Sequence, residues 1–581
     1  MLNMINDMKK LKPLFLTLLL PVSVAASASE TLFKKGKSSY VIAIGAAAST
    51  SEQTAAKELQ QYIQEAGGVT LPIVNYCPKG NYISVGFNNL TQETFGEAVP
   101  TADDETLSIK TKDGNLYLYG GSNRGTMYAV YSFLEKYLGV RWYTPEFTMV
   151  PKTSRLDLPE VDFTQSPSIR FRFVQYHNAM RDEAWMAHNK MNTTQEAKKN
   201  EHGGISGYWG IHTCDYFIPS SEYYEDHPEY FCLRDGKRVG GYSQPCLSNP
   251  EVLRICIEKM KKVIAENPDY FVYDMSQNDN QLFCECDHCK ELEERYGGHS
   301  GLFVWFVNQV ADAIRTEWPD KYIGTFAYLY TRQAPTGIVP RDNVLIRLCN
   351  SDCDFSHPIE TAAYNRTFKH DLQSWSKIAP CLYIWDYVVN FHQYLAPYPN
   401  FGVLADNIKT FRDNHAIGIQ EEANYQKDGG EFSEMRAWVL ARLLWDPEQD
   451  TDALVHEFIT DFYGAAAPQV QSYFDLCRGQ IRDNIVMPIY FNHEYPLYDE
   501  TFIDKAWNLL EEGKKLVAGD EELSRRFDRV RLQIIYLKQM RHPEESKQNG
   551  IRDELLRILG ENKGILVNEW TSSEDFIKTL P

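Results

Sequence analysis

The spacing of apolar positions changes character three times along the 581 residues. Between residues 30 and 165 short apolar runs alternate with segments of helical period. Residues 39–44, 71–74 and 82–87 read as strands, and 107–110 and 115–119 flank Asp113-Gly114, a hairpin signal. Thr50 opens a helix with Gln53 three residues on, the spacing of a capping box. Ala55, Leu59, Tyr62, Ile63 and Ala66 then repeat at helical period until Gly67-Gly68 stops them. A second helix is expected over 125–137, with Tyr128, Tyr131, Phe133 and Leu134 on its apolar face. The pattern predicts an N-terminal α/β domain over 29–165, ending in a Pro-bearing stretch, 150–167, that reads as a linker.

From residue 169 to about 445 the order becomes apolar strand, polar loop, helix, repeated. Strands are expected at 171–176, at 188–192 or 208–212, and at 244–247, 270–275, 322–327, 344–348, 381–385 and 416–420. Helices intervene, such as 302–318 with its stripe of Leu302, Phe306, Val310 and Ile314, and 401–412. Eight strands alternating with helices predict a (β/α)8 TIM-like barrel over 166–445. After Trp445 the helical period dominates, as in Leu523, Phe527, Val530, Ile534 and Leu537. Residues 446–581 therefore read as a helical C-terminal domain that buttresses the barrel. The fold class expected is α/β, a (β/α)8 barrel between an N-terminal α/β domain and a C-terminal helical domain.

Composition narrows the partners. Hydrophobic residues at 43% and charged residues at 24% are ordinary globular usage and exclude wholesale disorder. A formal charge of -20 repels nucleic acid and anionic membrane surfaces. Lys9, Lys10 and Lys12 precede the apolar run LFLTLLLPVSVAA, which ends in Ala26-Ser27-Ala28. That is the pattern of a secretory signal over 1–28, cleaved near Ala28 and too short to span a bilayer. The expected location is the periplasm or the cell exterior, with no membrane insertion. Aromatic residues reach 13%, with 35 Tyr and 11 Trp. Their flat faces and polar tips suit sugars, although most must serve the core.

In such a barrel the chemistry lies at the C-terminal ends of the strands. Ser276-Gln277-Asn278-Asp279-Asn280 follows the fourth strand, Tyr328 and Tyr330 the fifth, and Asn350, Asp352 and Asp354 the sixth. Asp386-Tyr387 follows Trp385 on the seventh, and Glu421-Glu422 with Asn424 and Tyr425 follows the eighth. Glycoside hydrolysis needs one carboxyl to protonate the leaving oxygen and another to attack or to activate water. Asp279, Asp386 and Glu421 are the catalytic candidates, with Asp279 the acid. Alternation points the adjacent Glu421 and Glu422 to opposite sides, and Glu421 is the one expected in the pocket. Asn278, His212, Tyr328, Trp385, Tyr387, Glu422 and Tyr425 are the expected substrate contacts. This chemistry requires no cofactor. A non-catalytic glycan-binding protein on the same scaffold is the alternative.

The cysteines form a second constellation. Cys284, Cys286 and Cys289 lie just beyond Asp279, and Cys349 and Cys353 follow the sixth strand. Three close cysteines and one distant one would make a closed structural zinc site. Export and an even total of 12 favour disulfides instead, and spacing leaves zinc, disulfides and free thiols open.

The segment from Gly121-Ser122-Asn123-Arg124-Gly125 through Tyr131-Ser132-Phe133-Leu134-Glu135 to Gly139-Val140-Arg141-Trp142-Tyr143-Thr144-Pro145 resembles the N-terminal domain of α-glucuronidases. That domain recurs in glycoside hydrolase families 67 and 20. Gln277-Asn278-Asp279-Asn280, CECDHC and YIWDYVVNFHQYLAPYPN resemble a large bacterial family of exported proteins with a glycosidase-like barrel, a domain of unknown function. Family 67 implies a Glu acid after strand four, where this chain has Asp279, and late-strand carboxylates that Asp386 and Glu421 match by strand position. Family 20 implies an Asp-Glu pair after strand four, where this chain has Asn278-Asp279.

Overall fold

The computed structural model describes residues 30–580. The signal reading over 1–28 lies outside them. The N-terminal part is a six-stranded sheet in the order Asp162–Gln165, Leu107–Lys112, Asn115–Gly120, Tyr82–Val85, Val41–Ile44 and Ile73–Val74. Helices Thr50–Gly67 and Gly125–Phe133 bury their apolar faces in one core with that sheet. The capping box sits one residue before its expected place. Ser49 Oγ accepts from the Glu52 N–H, and the Glu52 carboxylate accepts from the Ser49 N–H, while the Gln53 amide donates to the Ala48 carbonyl instead. Asp113 and Gly114 both take positive φ, 51° and 73°, as a two-residue hairpin of this type demands.

Residues 150–167 are not a linker. Arg155–Asp157 pairs with Thr31–Lys34, and Asp162–Gln165 forms the edge of the sheet. Pro151, Pro159 and Pro167 all fall outside these two strands, so they interrupt no ladder.

The barrel is formed by eight parallel strands. They are β1 (Phe171–Gln175), β2 (Thr193–Thr194), β3 (Ser206–Trp209), β4 (Val272–Asp274), β5 (Tyr322–Ala327), β6 (Val344–Cys349), β7 (Cys381–Tyr387) and β8 (Ala416–Glu422). The hydrogen-bonded order is β1-β8-β7-β6-β5-β4-β3-β2. β2 returns to β1 through the Asn192 N–H, which donates to the Arg172 carbonyl, and Asn192 Oδ1, which accepts from the Arg172 N–H. The ambiguity between 188–192 and 208–212 resolves into two strands, one near each segment. Residues 244–247 form no barrel strand. Pro245 cannot donate to a central ladder, and the run pairs locally, with the Cys232 N–H donating to the Gln244 carbonyl and the Cys246 N–H to the Tyr230 carbonyl.

The lumen is filled by large residues set against glycines. Tyr208 lies over Gly324 and Tyr383 over Gly418, where any Cβ would run into the opposing ring or hydroxyl. The chain then enters a largely helical region, including Thr451–Tyr463, Ala467–Arg478, Glu500–Val517 and Glu521–Arg541. Two non-helical pieces of it return to the barrel. The Phe391 N–H donates to the Ile489 carbonyl, and the Tyr394 N–H to the Val567 carbonyl. Among the described residues no helix is long and apolar enough to cross a membrane.

Gly324→Ala and Gly418→Ala should each cost about 1–3 kcal/mol, the range for overpacking a core. Denaturant unfolding checks this, with Gly80→Ala as the control, because a Cβ there meets nothing within 4 Å.

Candidate active site at the barrel mouth

At the C-terminal ends of the strands lies a cavity of about 340 Å³. Gln175 enters from β1, Phe326 and Tyr328 from the end of β5, Cys349 from β6, Trp385 and Tyr387 from β7, and Glu422 from β8. Loops add His212, Asp279, Phe391 and Tyr425, and the C-terminal region adds Tyr490 and Glu569. Trp385 and Tyr387 are two residues apart on one strand, so both face inward, and their rings stack at 6.5 Å and 22°.

Three carboxyls share this space. The Trp385 indole N–H donates to Glu422 Oε2 at 2.6 Å. Burial pushes the Glu422 carboxyl up to about 8, and the charges of Glu569 and Asp279 add to the rise, while the indole bond and Arg347 oppose it. Glu569 is also raised, first by burial, although the Tyr490 hydroxyl donates to its Oε2 at 3.4 Å. Asp279 is exposed, and its N–H donates to the Tyr242 hydroxyl. Burial holds the Tyr328 phenol protonated well above its usual range, with the Asp279 charge adding, so it remains a donor.

His212 takes a left-handed φ of 53°, a conformation a residue with a Cβ adopts at a cost. The Ser276 hydroxyl accepts its N–H, and the Gln277 carbonyl accepts its ring Nδ1 at 2.7 Å. Nδ1 must carry a proton there, which in the neutral ring leaves Nε2 as an acceptor.

Six of the seven expected substrate contacts, His212, Tyr328, Trp385, Tyr387, Glu422 and Tyr425, line this cavity, as does the expected acid Asp279. Asn278 does not. It is fully buried, with Oδ1 accepting from the Asp215 N–H and Nδ2 donating to the Ser243 carbonyl, so it braces the loop.

The strand-seven and strand-eight acids also lie elsewhere. Trp385, Tyr387 and Glu422 occupy the inward parity, so Asp386 and Glu421, partners in register, turn away from the cavity. The pocket-facing member of the Glu421-Glu422 pair is therefore Glu422. Asp386 accepts from Asn350 Nδ2 at 2.6 Å and from the Tyr387 N–H. Burial raises both acids, Asp386 to about 6, and the charge of Asp386 raises Glu421 further.

Several site residues escaped the sequence reading. Asp274, at the inward parity of β4, is buried and pushed up to about 6 by desolvation, with the Tyr208, Thr213 and Ser276 hydroxyls donating to it. Counting alternate positions from Val272 would have found it. Tyr490 and Glu569 had no local signal, because only folding brings the tail to the mouth. A larger cleft of about 690 Å³ lies at the opposite end, between Glu105, Arg124, Arg170 and Phe271. Asp103, Asp104, Glu105 and Asp269 line it, but Arg172 pairs with Glu105 and Lys199 with Asp269, and it lies at the strand N-termini, away from the barrel mouth.

Fold and site define a glycosidase-like (β/α)8 barrel with a carboxylate-bearing, aromatic-lined mouth. The chain belongs to the DUF4838 family, a domain of unknown function, which matches residues 142–475. Among solved structures it is similar to a family GH115 4-O-methyl-α-glucuronidase, BtGH115A, with specificity for decorated arabinogalactans. The identity is 13% and the TM-score 0.57, over 93% of this chain and 78% of that one. It is also similar to the Flavobacterium johnsoniae chitobiase FjGH20, at 10% identity and a TM-score of 0.48, over 95% and 97% of the two chains. No curated protein matches the sequence.

Carboxyls raised by folding bind more protons in the native than in the unfolded chain, so their stabilisation is present at low pH and lost as pH rises through the folded values. Glu421→Gln replaces this raised carboxyl by a neutral isostere. Its Tm should stay close to wild type at pH 5 and fall less steeply than wild type between pH 5 and 8, followed by calorimetry.

Proposed function

We propose that this protein is an exported glycoside hydrolase that cleaves a complex or acidic glycan at the barrel mouth. The observation that carries the reading is Glu422, a carboxyl protonated near neutrality on the indole of Trp385, facing Asp279 and Glu569 in one aromatic-lined cavity. A protonated carboxyl can give its proton to the departing glycosidic oxygen as the C1–O bond breaks. The exposed Asp279 then serves as the partner carboxylate, attacking C1 or taking a proton from the attacking water. The acid role accordingly moves from Asp279 to Glu422, and Asp386 and Glu421 have none. The stacked rings of Trp385 and Tyr387 offer the flat apolar surface that a pyranose face covers. The fold shared with a 4-O-methyl-α-glucuronidase supports trying uronic-acid-decorated glycans first.

The test is release of reducing sugar from a panel of plant and host glycans by the purified chain. Glu422→Gln should lower kcat by two or more orders of magnitude, as loss of a general acid does. In the wild type kcat/KM should decline as pH rises past about 8, because only the protonated Glu422 donates. Glycan binding without any turnover, or full turnover in Glu422→Gln, overturns the assignment.

A further inference from the structure

The cysteines beside the Asp279 loop are brought together with a fourth that their spacing did not identify. Cys246, from the excursion between β3 and β4, meets Cys284, Cys286 and Cys289 in a cluster where no residue is more than 8% exposed. All four Sγ atoms lie within 4.8 Å of one another. Cys246 Sγ is 3.6 Å from that of Cys286 and 3.9 Å from that of Cys289. A disulfide would bring two sulfurs to about 2 Å. A tetrahedral ion with metal–sulfur bonds of about 2.3 Å sets its thiolates about 3.8 Å apart, close to the two separations from Cys246 Sγ.

We propose that Cys246, Cys284, Cys286 and Cys289 bind one zinc ion in a closed four-thiolate site. Its surroundings suit that charge. Four thiolates on a dication leave a net charge of about -2. The Leu233 N–H donates to Cys284 Sγ at 3.3 Å, and the Arg238 guanidinium approaches the same sulfur at 3.9 Å. The Ser248 hydroxyl lies 3.2 Å from Cys289 Sγ and 3.6 Å from Cys286 Sγ. The Leu233 N–H and the Arg238 guanidinium are donors that orient a thiolate and offset its charge.

The site has a structural task, since four thiolates leave no open coordination position for substrate. Gln244, two residues before Cys246, donates to the Asn278 carbonyl at 2.8 Å and accepts the Asn278 N–H at 3.0 Å. The segment bearing Asp279 is thus held between Gln244 on one side and the Cys284–Cys289 turn on the other. Zinc would pin both ends of this clamp together.

Purified without chelator, the full chain should carry about one zinc by elemental mass spectrometry, released stoichiometrically by a thiol-blocking mercurial. Cobalt-loaded protein should show thiolate-to-cobalt charge-transfer bands and the intense visible bands of a tetrahedral four-sulfur site. Cys289→Ser should lose those bands and bind zinc more weakly. If that variant fails to fold, metal content and the cobalt spectrum of the wild type decide alone. Disulfides among these four cysteines, four thiols that titrate freely with no metal retained, or iron in place of zinc would overturn the proposal. None of these readouts depends on hydrolase activity, so failure of the zinc site and failure of the proposed function are separable.

Discussion

The barrel closes around a charge. Arg347, on the inward parity of β6, is 1% exposed, and its guanidinium lies 3.4 Å from the centre of the Tyr208 ring, with Tyr383 and Trp385 at 5.1 and 5.0 Å. A charge removed from water costs several kcal/mol unless its surroundings replace the lost hydration. Here aromatic faces do much of that, and the nearby acids Asp274 and Glu422 are each drawn toward their ionised forms by it. The glycines at 324 and 418 follow from the same requirement, because the rings that enclose Arg347 need the space a side chain would take. The electrostatics of the mouth are therefore set from beneath. Arg347 moderates Glu422, while burial and two neighbouring acids push it the other way.

Strand parity decides the rest of the site. On β7 and β8 one set of alternate positions carries Trp385, Tyr387 and Glu422, and the other carries Asp386 and Glu421. Both sets contain carboxyls, yet only the first meets the cavity. The second places two acids side by side in register in the layer outside the lumen, where the charge of Asp386 raises the cost of ionising Glu421. Two adjacent glutamates thus have different chemistry for a purely geometric reason.

The mouth is completed from a distance. Tyr490 and Glu569 belong to non-helical pieces of the C-terminal region and are placed by backbone bonds to the loop after β7, among them the Glu569 N–H to the Phe391 carbonyl. The region that was expected only to buttress the barrel also supplies part of its wall. The loop after β4 is tied in a similar way, by Gln244 and by the turn that carries Cys284, Cys286 and Cys289.

What the amino-acid order determined by itself was the local and periodic part. Alternating strand and helix between residues 169 and 445 is visible because side-chain period follows backbone geometry, and the barrel class follows from counting the alternations. The strand-end aromatics were legible for the same reason, as was an acid at the end of the eighth strand, although Glu421 rather than Glu422 was expected in the pocket. The run at 244–247 looked like a strand because apolar content alone does not say which partner will pair with it. Which glutamate of an adjacent pair faces inward depends on where the strand enters the sheet, and a shift of one residue reverses the answer. The contributions of Arg347, Tyr490, Glu569 and Cys246 depend on contacts between residues tens to hundreds of positions apart. Only the closed tertiary structure decides those, since each is the outcome of burying one surface against another.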